Sequence, residues 1–187
     1  PWPEASRQWR QRVGSLRLWQ PEAVWPAVDD EALLATLETW LAPYLEGISR
    51  REHFSRIPLQ SALDGLLDYP AQRALAQLAP THLTVPSGHR HAVAYEVGAP
   101  PVLEVKLQEM FGCTDNPSVC EGRVAVRLHL LSPARRPIAV TADLAGFWRQ
   151  GYLDVRKDLR GRYPRHPWPE DPLSAAPTAR AKPRSGG

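Results

Sequence analysis

The sequence predicts an α+β protein: an N-terminal helical segment, then a small antiparallel sheet covered by a long helix, and last an extended proline-rich strap with a disordered tail. Closure of the sheet into a partial barrel stays open as an alternative. Three observations carry this reading. Apolar residues recur with a period near 3.6 up to Pro80 and with a period of 2 after it. The stretch "RGRYPRHPWPEDP" (160–172) holds four prolines, each of which removes a backbone donor and biases the residue before it toward extended geometry. The end of the chain, "SAAPTARAKPRSGG", is small, polar and basic, as disordered segments are.

The elements follow in order. In "PWPEASRQWRQRVGSLRLW", Trp9, Val13 and Leu16 fall at i, i+4 and i+7 with Arg7, Arg10 and Arg17 between them, which predicts an amphipathic helix. "DDEALLATLETWLAPYL" begins with an acidic cap at Asp29 or Asp30 and puts Leu33, Leu34, Leu37, Trp40 and Leu41 on one stripe, predicting a single helix that stops at Pro43. "PLQSALDGLLDYP" and "PAQRALAQLAP" predict two short helices, each opened by a proline. Trp2, Trp9, Trp19, Trp25 and Trp40 lie within the first 40 residues and are expected to pack helices together or onto a neighbouring domain, in preference to stacking on bases.

Beyond Pro80, "THLTVP" and "HAVAYEV" flank "SGH" and predict a hairpin around Ser87–Gly88. "VLEVKLQEMFG" alternates Leu103, Val105 and Leu107 against Glu104, Lys106 and Gln108, a strand with one wet face. "RVAVRLHLL" turns Val124, Val126, Leu128 and Leu130 inward, and "PIAVT" supplies a fifth strand after the turn "SPARRP". From an N-cap at Thr141, the residues Leu144, Trp148, Tyr152, Val155 and Leu159 predict one helix of roughly 18 residues that closes at Gly161 and covers the sheet.

Composition bounds the function. The chain has 187 residues, 43% of them hydrophobic, with two cysteines, so a packed core and not a disulfide framework is expected to hold it. It starts at Pro1 and its one methionine is Met110, which reads as a piece of something larger. No apolar run reaches the roughly 18 residues of a membrane helix, so a cytoplasmic protein with no membrane contact is expected. Residues 141–187 hold 9 basic against 5 acidic side chains. Such a basic end favours a polyanion or an acidic surface as neighbour.

Motifs of chemistry are sparse. No GxxxxGK[ST] loop is present to cradle phosphates, and no GxSxG elbow to raise a nucleophile. Cys113 and Cys120 with His129 fall short of the spacing of a zinc site, and His89 and His91, two apart, read as polar residues leaving a turn. Glu104 and Glu109 have no spacing that marks an acid–base pair. No catalytic, cofactor or metal residue is expected in the chain. The candidates for docking or for nucleic acid are Arg160, Arg162, Tyr163, Arg165, His166 and Trp168, where guanidinium groups stand beside rings.

The runs "EGRVAVRLHLLSPARRPIAVTADLAGFW" and "RGRYPRHPWPEDP", with "LQEMFG" before them and "APTARAKPR" after, resemble the C-terminal region of the HrpB family of bacterial DEAH-box ATP-dependent helicases. The resemblance runs through 81–184. It extends more loosely to 1–80 through "RVGSLR" and "LETWLAPYLEGI". It implies a helical segment over 1–80, an HrpB-type C-terminal domain over 81–172 and a basic disordered tail over 173–187. It further implies two RecA-like domains, a winged helix, a helical bundle and an OB-fold N-terminal to Pro1, with ATP and magnesium bound there and RNA or another single strand as substrate. The function implied for this chain is an accessory domain that docks on, and restrains or positions, the motor domains; the alternative is a direct single-stranded nucleic-acid-binding module.

Overall fold

The computed structural model describes residues 2–48 and 50–181. The chain divides into two compact units. A helical unit takes the residues up to Pro80 together with Tyr95–Ala99, and a sheet unit takes Thr81–Ala94 and the chain from Pro100 onward.

In the helical unit, helix α1 (Glu4–Trp19) buries the expected Trp9, Val13 and Leu16, and also Arg12. Gly14, a poor helix former, allows a close approach: a β-carbon there would meet Val97 Cγ2 at 2.6 Å and displace that side chain. Val97 belongs to the loop Tyr95–Ala99, which is pinned to α1 by Gln8 and Gln11: their Oε1 atoms accept the Tyr95 and Val97 amides at 3.0 and 2.7 Å. The strand expected to run through Val97 therefore ends at Ala94. Its further amides already have partners on a helix.

The single helix expected over Asp29–Pro43 is two: α2 (Asp30–Ala35) and α3 (Leu37–Trp40). Asp29 caps the first by accepting the Ala32 amide at 2.9 Å. The break is at Thr36, whose hydroxyl donates back to the Ala32 carbonyl at 2.8 Å while its backbone leaves helical geometry, with φ −110° and ψ 15°. The stripe is disrupted with it. Leu33 and Trp40 are buried, whereas Leu34 is 69% and Leu37 38% exposed. Helices α4 (Leu59–Asp64) and α5 (Tyr69–Leu78) stand where expected, the second capped by Asp68 on the Ala71 amide. Trp9, Trp25 and Trp40 are buried in this unit, and Trp19 lies 6.3 Å from the Tyr95 ring.

The sheet unit opens with the expected hairpin, β1 (His82–Thr84) against β2 (Arg90–Ala94), turning through Gly88 at φ +85°. Next comes β3 (Val102–Lys106), antiparallel to β2. Here the structure corrects the antiparallel expectation. Leu107–Met110 wind into a 3₁₀ turn that buries Gln108 and Glu109 as well as Leu107 and Met110, so Gln108 is no wet-face strand residue. The chain then crosses over through a small hairpin, β4 (Ser118–Val119) with β5 (Val124–Ala125). It re-enters the sheet as β6 (Arg127–Leu131), parallel to β3, with Leu103 beside Leu128 and Val105 beside Leu130. Strand β7 (Pro137–Thr141) pairs antiparallel to β6 at the edge. The order is β1-β2-β3-β6-β7, a mixed open sheet and not a barrel.

The long helix is likewise two, α6 (Leu144–Gln150) and α7 (Tyr152–Leu159). Its N-cap is Asp143, which accepts the Gly146 amide at 2.9 Å, in place of Thr141; it ends at Leu159 with Arg160 as C-cap, so Gly161 holds the expected C′ position, without the left-handed φ. The interruption is at Gly151, where a β-carbon would sit 2.8 Å from the Phe147 ring. Leu144, Trp148 and Tyr152 are buried, and the rings of Trp148 and Tyr152 pack on Phe111 of the crossover at centroid distances of 6.0 and 6.2 Å.

Candidate functional site

Residues 160–172 follow α7 as an ordered strap tied at several points. The amides of Tyr163 and His166 donate to Leu159 and Tyr163 carbonyls, which turns the chain twice. The Trp168 indole donates to the Tyr163 carbonyl at 3.0 Å, closing the loop over itself. Arg156 Nε on α7 donates to the Trp168 carbonyl at 2.9 Å, and the buried Tyr152 hydroxyl donates to the Pro169 carbonyl at 2.7 Å. Burial pushes the Tyr152 phenol up to about 12, against a smaller opposing pull from Arg156. The Gly112 amide then donates to the Pro172 carbonyl at 3.0 Å. Four prolines lower the entropy lost in fixing this path, and the tyrosine and tryptophan supply its anchors.

Within the strap, Arg160, Arg162 and Arg165 are exposed, while Tyr163, His166 and Trp168 are half-buried. Tyr163 meets His166 edge-on at 6.4 Å, and its hydroxyl lies 3.5 Å from Ser132 Oγ. The strap's acids turn elsewhere. Glu170 faces Arg156 at 3.7 Å, and Asp171 caps the next turn through the Leu173 amide and the Ser174 hydroxyl. Among the described residues the three strap arginines have no ion pair. Of the stretch expected to be disordered from 173, residues 173–181 have a defined course, with the Thr178 amide on the Gln108 carbonyl at 2.9 Å; 182–187 lie outside the described residues. Trp168→Ala should lower stability by about 1–2 kcal/mol, for one hydrogen bond and partial apolar burial. Arg160→Ala with Arg162→Ala should stay within about 0.5 kcal/mol. Equilibrium unfolding in urea measures both.

His89 and His91 converge on a carboxylate. Glu109 is 2% exposed, and its Oε1 accepts from the Ser87 hydroxyl at 2.9 Å and lies 3.0 Å from His91 Nε2 and 3.5 Å from His89 Nδ1. Burial raises its pKa, but hydrogen bonds from His91 and Ser87 and the neighbouring imidazole outweigh that and hold it below the usual glutamate range. The cluster pins the β1–β2 turn to the 3₁₀ turn. Among the described residues no group of three or more His, Cys, Asp or Glu is placed to hold a metal, and Cys113 and Cys120 are not joined in a disulfide. The N-termini of α2, α5 and α6 are capped by the carboxylates of Asp29, Asp68 and Asp143.

The helical unit carries an apolar groove of about 560 Å³ lined by Trp2, Leu33, Leu34, Leu37, Trp40 and Leu59. The sequence predicts Leu34 and Leu37 on one stripe with Leu33 and Trp40 of a single helix; with the helix broken at Thr36, they line this groove. Among the described residues no helix is long and apolar enough to cross a membrane.

The model of the family described as ATP-dependent helicase C-terminal matches residues 40–172. The chain is 47% identical over 181 residues to an ATP-dependent RNA helicase HrpB of Escherichia coli K12, covering 97% of this chain and 22% of that protein. It is similar to a crystal structure of the E. coli DExH-box NTPase HrpB with a TM-score of 0.90 at 46% identity, over 94% of this chain and 22% of that one. A second crystal structure, of the E. coli DEAH/RHA helicase HrpB, gives 0.76 at 44% identity, over 89% of this chain and 21% of that one. The chain thus spans about a fifth of the length of the proteins it matches.

Proposed function

The chain belongs to the ATP-dependent helicase C-terminal family, and from that premise we propose that it is an accessory module of a cytoplasmic bacterial RNA helicase, docking on the motor domains and setting their position. The observation that carries this reading is the apolar groove on the helical unit. Leu34 at 69% exposed and Leu37 at 38% lie beside Trp2 and Leu59, apolar surface that gains from being covered. The occupant is the motor-bearing part of the same helicase, because the proteins of this family that the chain matches are more than four times its length and this chain answers to their C-terminal region.

In this division of labour ATP and magnesium belong to the motor. Hydrolysis needs amides and a lysine around the outer phosphates, and the sequence has no GxxxxGK[ST] loop to supply them. The 187-residue chain alone should therefore show no ATPase activity, with or without RNA. In a full-length helicase, Leu34→Glu with Leu37→Glu should alter the RNA-stimulated ATPase rate without changing the thermal midpoint of the isolated chain. An unchanged rate in the double variant would remove the support for docking.

A further inference from the structure

The end of the sheet where β3 and β6 finish and β7 begins gathers cations from three separate segments. Lys106, the last residue of β3, pairs with Leu131, which in turn faces Pro137 of β7. The turn that joins β6 to β7 at this end presents Arg135 and Arg136, both exposed. That turn is tightly determined: the Arg135 amide donates to the Ser132 carbonyl, and the Arg136 amide donates to Ser132 Oγ at 3.1 Å. Arg135 sits at φ +61°, a left-handed conformation that a side chain with a β-carbon disfavours. The strap reaches the same place. Tyr163 touches Ser132 through its hydroxyl, and His166 lies close enough to Lys106 and Arg165 for both to disfavour its protonation, after burial, which is the larger cause.

Among the described residues none of Lys106, Arg135, Arg136 and Arg165 has an ion pair, since Glu170 and Asp171 of the strap are engaged elsewhere. Four cations without counter-charges stand around two rings, Tyr163 and His166. The geometry points to a binding site for the phosphate backbone of single-stranded RNA at this sheet end, with Lys106, Arg135, Arg136 and Arg165 on successive phosphates and the Tyr163 and His166 rings beside the bases. Cations alone would suit an acidic protein equally. The rings are what select a strand, because every base offers them a face. Trp168 holds this part of the strap in place, its indole N–H donating to the Tyr163 carbonyl. The assignment is independent of the docking groove, which lies on the other unit.

The test is fluorescence anisotropy of the 187-residue chain with a labelled oligouridine dodecamer between 50 and 200 mM KCl. Four phosphate contacts at roughly 0.7 each on the logarithmic scale should weaken binding about 50-fold across that range. Arg135→Ala, Arg136→Ala and Arg165→Ala together should weaken binding at low salt and leave only about a three-fold loss across it, one contact remaining. The same change of net charge on the helical unit, Arg7→Ala with Arg17→Ala and Arg73→Ala, should leave affinity and salt slope near those of the parent. Thermal midpoints of both triple variants confirm that they are folded. A uridine trimer should bind more weakly than the dodecamer. The proposal is overturned by no binding at low salt, by equal losses in the two triple variants, by equal affinity for trimer and dodecamer, which marks a lone phosphate site, or by polyglutamate competing as well as RNA.

Discussion

Trp148→Ala is expected to destabilise the sheet unit by about 3–5 kcal/mol, the range for deleting a large buried aromatic. The indole is 5% exposed and makes contacts on several sides. It packs on Phe111 at 6.0 Å, on Tyr152 at 5.5 Å and on Phe147 at 5.3 Å, while its N–H donates to the Cys113 carbonyl at 2.7 Å. Truncation would leave a cavity beside Tyr152, the residue that anchors the strap at Pro169, and would orphan the Cys113 carbonyl. Loosening of the strap should therefore accompany the loss. Equilibrium denaturation with amide exchange at strap residues measures both; an unchanged midpoint would mean that α6 does not pack on the crossover as described.

Arg12→Met is expected to cost the helical unit about 3 kcal/mol, from two charge-assisted hydrogen bonds lost at buried carbonyls. Arg12 is 8% exposed, and its guanidinium donates through Nε to the Ala79 carbonyl and through Nη2 to the Leu75 carbonyl, closing the C-terminal end of α5. Burial lowers its pKa, with Tyr95 and Asp64 opposing. Methionine retains much of the apolar stem and removes all the donors, so the Ala79 carbonyl loses the guanidinium and the Leu75 carbonyl keeps only the Ala79 amide, with little change in packing. Arg12→Lys should recover only part, since an ammonium cannot span two carbonyls as the planar fork does. Thermal unfolding of the three proteins checks the order; a methionine variant as stable as the parent would show that water satisfies the carbonyls equally well.

What the sequence disclosed was local. The α1 stripe of Trp9, Val13 and Leu16, the caps at Asp29 and Asp68 and the hairpin at Gly88 rest on neighbours within a few residues, and each is where periodicity or turn chemistry puts it. Long-range pairing was not legible. Nothing in the alternation of "VLEVK" or "RLHLL" distinguishes a parallel partner from an antiparallel one; the crossover decides it, and that depends on the 3₁₀ turn at Leu107–Met110. Likewise Arg12 and Glu109 look like ordinary surface charges in the sequence, because their partners are 67 and 22 residues away. The prolines and rings of residues 160–172 are legible as an ordered strap, but Lys106, Arg135 and Arg136 near it come from a sheet end that only the topology assembles.

The docking of this chain on its motor is tested most directly by isothermal titration of the 187-residue chain into the remainder of the full-length helicase expressed without it. Covering the groove of Trp2, Leu34 and Leu37 predicts saturable binding with a negative heat-capacity change, the mark of apolar burial, and its loss in Leu34→Glu with Leu37→Glu. No binding, or binding undiminished by the double substitution, would contradict it.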